Sequence, residues 1–253
     1  MSAPVSNYLA RSEHMSEQAW AISAEGGIGR VLVATQDISP GMVVVEDAAL
    51  VETPDGFPVC LGCLASLTSS SVPCPDCGWR VCNTACAQAE DHSEECKLFS
   101  EKKVVPSINY VHYFLPHGLY LVVQVLRVLL VTRQTQKKLV VENLMDHWEE
   151  RCKDSGVVDM VKYVGTFCRS KLGLHWVKDE DVCHAYGVLK TNAVGCVNPG
   201  GSRQCYLYPH VSLMSHSCAS NLEIGDKIGR TIEFRATRTI LKGEELTWRL
   251  NLD

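Results

Sequence analysis

Four pairs of potential metal donors stand between residues 60 and 96: Cys60 with Cys63, Cys74 with Cys77, Cys82 with Cys86, and His92 with Cys96. Thiolate and imidazole are the donors zinc prefers, and a pair two to four residues apart can turn both side chains onto one ion. Eight donors make two four-coordinate sites, and the spacing alone leaves open which four share an ion. Buried apolar thiols would show no such regular pairing. Gly62, Pro73, Pro75 and Gly78 serve tight turns between the pairs. The segment is poor in large apolar residues, so metal is expected to stabilise it where a core cannot.

The remaining residues must position this segment. At 253 residues and 46% hydrophobic content the chain is long enough for one or two domains with a real core. Thirteen cysteines would suit a secreted disulfide scaffold. The N-terminus MSAPVSNYLARSEH has no apolar signal core, however, which points to a reducing compartment, nucleus or cytoplasm. A net charge of -5 exerts no pull on DNA, and Lys97, Lys102 and Lys103 form only a small cluster that a solvated helix face explains. Partners are therefore expected to be proteins, with no direct DNA binding. The apolar run Leu119 to Val131 is broken by Gln124 and Arg127 and is too short to span a bilayer, so it reads as a buried helix and no membrane partner is expected.

Upstream of the cysteines, GGIGRVLVATQDISPGMVVVEDAALVE reads as a glycine-rich turn, a strand, a turn at residues 39–41 and a second strand, together a hairpin. Residues 107–190 show helical spacing. Leu119, Val122, Val123, Leu126 and Leu130 share one face, and Asp179 or Asp181 is placed to open a later helix. From Thr191 short β-like runs return. This order makes the cysteine segment an insertion within a domain. Cys152, Cys168, Cys183, Cys196, Cys205 and Cys218 are read as buried core thiols.

With CGWRVC and the closing HSEEC, the cysteine segment resembles the MYND finger. From about residue 20 the chain resembles the SET and MYND domain-containing (SMYD) family through GRVLVATQDISPG, GVLKTNAVGC, YLYPHVSLMSHSCASN and GEELTWRL. GRVLVATQDI, CGWRVC and SLMSHSC are most similar to its arthropod SmydA-like branch. The resemblance implies an α+β fold in which a small-sheet SET domain is split by a two-zinc finger and a helical insert. The implied segments are an N-terminal piece (1–19), the first SET part (20–58), the finger (59–97), the helical insert (98–186) and the SET core (187–253), without post-SET cysteines or a C-terminal helical region. It further implies interleaved sites, Cys60, Cys63, Cys82 and Cys86 on one zinc ion, and Cys74, Cys77, His92 and Cys96 on the other.

Members of the family transfer a methyl group from S-adenosylmethionine to a lysine amine. By resemblance the cofactor would be held by Gly29 and Arg30 in the early turn, Asn192 in TNAV, and Ser212, Met214, Ser215 and His216 in the knot segment. The family pattern is departed from at Val31, where a second glycine is usual, at Ser215 for asparagine, at Ser220 for proline, and at Leu250, where GEExxxxY has its tyrosine. No catalytic residue is assigned, and Cys218 lacks the partners with which the family builds a third zinc site. The resemblance implies a protein-lysine methyltransferase of chromatin and transcription regulation, acting on histone or non-histone lysines. The alternative, favoured by Leu250 and the missing post-SET cysteines, is a catalytically weak or inactive SET scaffold whose finger recruits partner proteins, as a corepressor would, through proline-containing peptides.

Overall fold

A computed structural model describes residues 18–24, 29–106, 118–197 and 200–250. The N-terminal segment up to residue 17, the glycines at 26–27 and the helical reading of 107–117 lie outside the described residues. The chain divides into two compact units, one of Met1–Leu50 with Tyr208–Asp253 and one of Val51–Leu207.

In the first unit, β1 (Trp20–Ser23) and β2 (Val31–Ala34) form an antiparallel pair, Trp20 opposite Ala34. A five-stranded sheet is built from β3 (Val43–Ala48) in the first half of the unit and four strands from its second half. Those four are β9 (Ser215–His216), β10 (Leu222–Ile228), β11 (Thr231–Ala236) and β12 (Thr247–Trp248), in the order β3-β11-β10-β12-β9. Along β11, Ile232, Phe234 and Ala236 are buried and alternate with more exposed positions, the period-two pattern of a strand with one covered face. Phe234 meets Trp248 edge-on at 5.2 Å.

The expected hairpin does not form. β2 pairs with β1, whereas β3 pairs with β11, Phe234 opposite Val45. The excursion between Ala34 and Val43 is too long for a tight hairpin turn. Its backbone groups are instead taken up by the 236–240 segment: Ile38 bridges Ile240, and Gly41, at φ 79°, donates its N–H to the Ala236 carbonyl at 2.7 Å. The buried Asp47 then accepts from the backbone N–H groups of His210 (2.7 Å) and Val211 (2.9 Å) and faces His210 Nδ1 at 2.9 Å.

The second unit holds a three-stranded antiparallel sheet, β4 (Val51–Pro54), β8 (Arg203–Leu207) and β7 (Val194–Val197), and the short ribbon of β5 (Val72–Pro73) with β6 (Arg80–Val81). Its helices are α1 (Thr84–Ala87), α2 (Glu90–Lys102), α3 (Gly118–Val131), α4 (Thr135–Glu142), α5 (Trp148–Arg151), α6 (Ser155–Ser170) and α7 (Asp179–Asn192). Helix α3 is buried on nearly every side. Val122, Val123, Val125, Leu126, Val128 and Leu129 are inaccessible or almost so, and Gln124 and Arg127 are buried with them. Leu119, expected on its buried face, is only half-buried because it lies in the first turn. Asp179 opens α7, and the Asp181 carboxylate caps it by accepting the Lys178 N–H at 2.9 Å. No described helix is long and apolar enough to cross a membrane.

Candidate functional site

The eight donors gather into two interleaved quartets. Cys60, Cys63, Cys82 and Cys86 form one, Cys74, Cys77, His92 and Cys96 the other, and within each the donor atoms all lie within 4.8 Å of one another. Local structure explains the approach. A Cβ on Gly62 would lie 2.2 Å from the Cys86 carbonyl oxygen, so only glycine lets the 60–63 knuckle close on the 82–86 turn. Gly78 takes φ 77° directly after Cys77, and Asn83 caps α1 by accepting the Cys86 N–H at 3.1 Å.

The spacing of the donors fits a tetrahedral metal. Zinc–sulfur bonds of about 2.3 Å put two ligand sulfurs about 3.8 Å apart, and sulfur with an imidazole nitrogen about 3.5 Å apart. Cys63 and Cys82 Sγ are separated by 3.7 Å, as are Cys74 and Cys96 Sγ, and Cys77 Sγ lies 3.5 Å from His92 Nε2. A disulfide would need sulfurs at about 2.05 Å. Crowding the thiols also splits their acidities. For Cys74, burial opposes ionisation, but the Cys77 N–H and the His92 side chain outweigh it and lower the pKa to about 7. Burial and the neighbouring Cys63 and Cys60 push Cys86 up to about 11. Burial, with the Cys74 thiol adding to it, pushes Cys96 up to about 11. Repulsion of this kind is what a bound dication removes.

The finger is not held by these donors alone. Trp79, wholly buried, stacks on Phe99 at 4.5 Å and 18°, meets Tyr120 edge-on at 5.3 Å, and donates its indole N–H to the Val104 carbonyl at 2.7 Å. The expectation that the segment lacks a core is corrected here, because its single tryptophan packs onto residues of α2 and α3 that lie outside it. Ser202 Oγ donates to the Leu64 carbonyl (2.9 Å) and Ser66 Oγ to the Gly200 carbonyl (2.6 Å), fastening the finger loop to the start of β8.

In the other unit the chain's last strand lies between two earlier ones. Trp248 of β12 pairs in parallel with Leu222 of β10 and with His216 of β9. Asn221, buried, fixes this arrangement by accepting the Thr247 N–H at 2.8 Å and donating to the Glu245 carbonyl at 2.8 Å. A SET-domain family model matches residues 29–249. The chain belongs to the SET-domain family.

Among curated relatives, this SET protein is 28% identical over 239 residues to the SET domain-containing protein SmydA-8, isoform A, of Drosophila melanogaster. The match covers 90% of this chain and 49% of that protein, so the chain spans about half the length of the curated relative it matches. It is a SET protein of the SMYD type. Solved structures of similar fold include Rubisco LSMT bound to sinefungin and monomethyllysine, with TM-score 0.52 and 15% identity over 94% of this chain and 49% of that one. The SET domain of LSMT bound to lysine and AdoHcy matches with TM-score 0.49 and 13% identity over 94% and 51%.

Most of the SET cofactor candidates lie in the sheet unit. Gly29 takes φ 97° with open space where a Cβ would stand, and Arg30 follows it into β2. Ser212 Oγ donates to the Tyr208 carbonyl at 2.5 Å, Ser215 Oγ donates to Glu245 Oε1 at 2.5 Å, and Met214 is buried. His216 Nδ1 accepts the Leu250 N–H at 3.0 Å, and its Nε2 lies 3.4 Å from Cys218 Sγ. Asn192 belongs to the helical unit, where its amide donates to the carbonyls of Met145 (2.7 Å) and Val188 (2.9 Å). The Asn192, Ser212 and Ser215 side chains are thus committed to internal bonds. Of the thiols read as core residues, Cys168 is buried, Cys183, Cys196 and Cys205 are half-buried, and Cys152 and Cys218 are exposed. Cys152 is exposed because it caps the short α5, and Cys218 because it sits in the turn after β9.

Sequence reasoning missed Asn221, Glu95 and Arg127. Each of the last two had a signal: for Arg127, charge in an apolar helix, and for Glu95, a carboxylate beside the last cysteine of the finger.

Proposed function

We propose that this chain is a SET/MYND-type protein of the lysine-methyltransferase class that binds S-adenosylmethionine and two zinc ions and whose methyl transfer is weak. The cofactor reading rests on family membership and on a fold neighbour solved with sinefungin and monomethyllysine. With Ser212 and Ser215 engaged internally, cofactor contacts at these positions run through backbone atoms and through Gly29, which leaves room for close approach.

The observation that carries the weak-transfer reading is Leu250. Methyl transfer needs a neutral lysine amine, and at pH 7 deprotonating a free lysine costs roughly 4 kcal/mol. A tyrosine hydroxyl would help orient that amine, and Leu250 brings only a backbone N–H, already donated to His216. Loss of one positioned polar group at a reacting centre commonly costs about a hundredfold in rate. The test is transfer from labelled S-adenosylmethionine to histone and peptide lysines, with cofactor binding measured by calorimetry. Wild type should bind cofactor and transfer poorly, and Leu250→Tyr should raise transfer about a hundredfold. Robust transfer by wild type would overturn the proposal.

The well-formed donor quartets favour a working role for the finger: it recruits partner proteins through proline-containing motifs in chromatin and transcription regulation, in nucleus or cytoplasm. Proline-containing peptides should bind the zinc-loaded chain and not the chelated one. Equal binding to both would count against this role.

A further inference from the structure

Behind the Cys74–Cys77–His92–Cys96 quartet lies a buried ion pair with no place in methyl transfer. His92 Nδ1 faces Glu95 Oε1 at 3.1 Å, so Nε2 is the nitrogen turned toward the thiols. Glu95 in turn is gripped by Arg127, whose Nε donates to Oε2 at 2.8 Å and Nη2 to Oε1 at 2.5 Å. His92, Glu95 and Arg127 are 0%, 1% and 5% exposed. The guanidinium does more. Its Nη2 also donates to the Leu61 carbonyl at 2.5 Å, inside the Cys60–Cys63 knuckle of the other quartet, and its Nη1 to the Glu52 carbonyl of β4 at 2.9 Å.

Two charges so deeply buried are expensive unless paired and fully hydrogen-bonded, and replacing such a pair by apolar residues is often neutral for stability. Its geometry therefore calls for another reason. A metal-bound imidazole must carry its proton on the non-ligating nitrogen, and a carboxylate accepting from Nδ1 fixes that tautomer and raises the ligand's basicity.

Resting on the reading that both quartets hold metal, we propose that Glu95 is the positioning residue for His92 and that Arg127 is a shared outer-sphere support. Through Glu95 it steadies the three-sulfur, one-nitrogen site, and through Leu61 the four-sulfur site. Helix α3 thereby becomes part of the metal centre, and metal is retained only while α3 is docked.

The test uses the full chain. Zinc content is measured, zinc release to excess chelator is followed in time, and cadmium-113 spectra distinguish the two sites by their donors. Wild type should hold two metals and give two resonances; fewer than two metals would overturn the metal reading and this inference together. Glu95→Gln keeps an acceptor but removes the charge. It should shift the resonance of the nitrogen-containing site and speed release from it about 10–100-fold, with the four-sulfur site unchanged. Arg127→Met should speed release from both sites. Should that variant fail to fold, Arg127→Lys takes its place, keeping the charge but losing the fork that serves Glu95 and Leu61 together; release from the four-sulfur site unchanged in the folded Arg127 variant would overturn the shared support. Two metals in wild type with release unchanged in Glu95→Gln, or accelerated equally at both sites, would overturn the inference and leave the metal reading intact.

Discussion

Replacing Trp79 by alanine tests whether metal alone holds the finger. The side chain is fully buried, and a tryptophan takes about 150–250 Å² out of water. At about 25 cal/mol per Å² that is about 4–6 kcal/mol, of which alanine keeps a small part. The stack on Phe99 and the edge contact with Tyr120 add about 0.5–1.5 kcal/mol, and the bond to the Val104 carbonyl about 1 kcal/mol. Partial collapse of the cavity offsets some of this, and tryptophan-to-alanine changes in cores cost about 3–5 kcal/mol. A loss of about 4–5 kcal/mol is therefore expected for Trp79→Ala. Trp79→Phe, which keeps the stack and loses the hydrogen bond, should cost about 1–2 kcal/mol. The assay is urea unfolding in excess zinc, read by amide exchange across the finger and α2. A cost below about 2 kcal/mol for Trp79→Ala would refute the reasoning and return the finger to metal alone.

Chelation at pH 7 should abolish amide protection in residues 60–96 while the β10–β11 ladder, in the other unit, keeps its own; loss of protection in both would refute this. Arg238, the Leu241 N–H and Asn221 hold the Glu244 carboxylate at a pKa of about 2. Because the folded pKa is depressed, the stabilisation is complete above the unfolded value near 4.3 and is lost as pH falls toward 2. Carboxyl NMR should find the Glu244 midpoint near 2, moving toward 4 in Arg238→Met; a wild-type midpoint above 4 would contradict it. Asp47→Ala strands the N–H groups of His210 and Val211, an expected cost of about 3–4 kcal/mol and a fall in melting temperature of roughly 6–16 °C, and a fall under about 3 °C would speak against it.

The eight donors were legible because metal ligation is written in residue type and short spacing, two properties that survive without coordinates; which four share an ion was implied only by the family resemblance and is seen in the structure. The burial of Val122 to Leu130, the greater part of that apolar run, was legible for a similar reason: a run of apolar side chains has nowhere else to go. The hairpin was misread because strand pairing is a long-range property. Two β-branched runs joined by a Ser-Pro-Gly turn look like partners until β1 and β11 compete for their edges. Cys152 and Cys218 were misread because a thiol has no periodicity of its own, and its exposure depends on the element that ends beside it.

By itself the sequence determined that metal-binding chemistry sits in residues 60–96, that strands flank a helical middle, and that position 250 carries no hydroxyl. Only the tertiary structure decided that Arg127 bonds both Glu95 beside His92 and the Leu61 carbonyl between Cys60 and Cys63, that Trp79 packs outside its own segment, and that Asn221 fixes β12 between two earlier strands. The reason is physical. Ligand spacing and hydrophobic period act over a few residues, whereas a buried charge, a stacked ring or an inserted strand finds its partner at separations set by the packing of the whole chain.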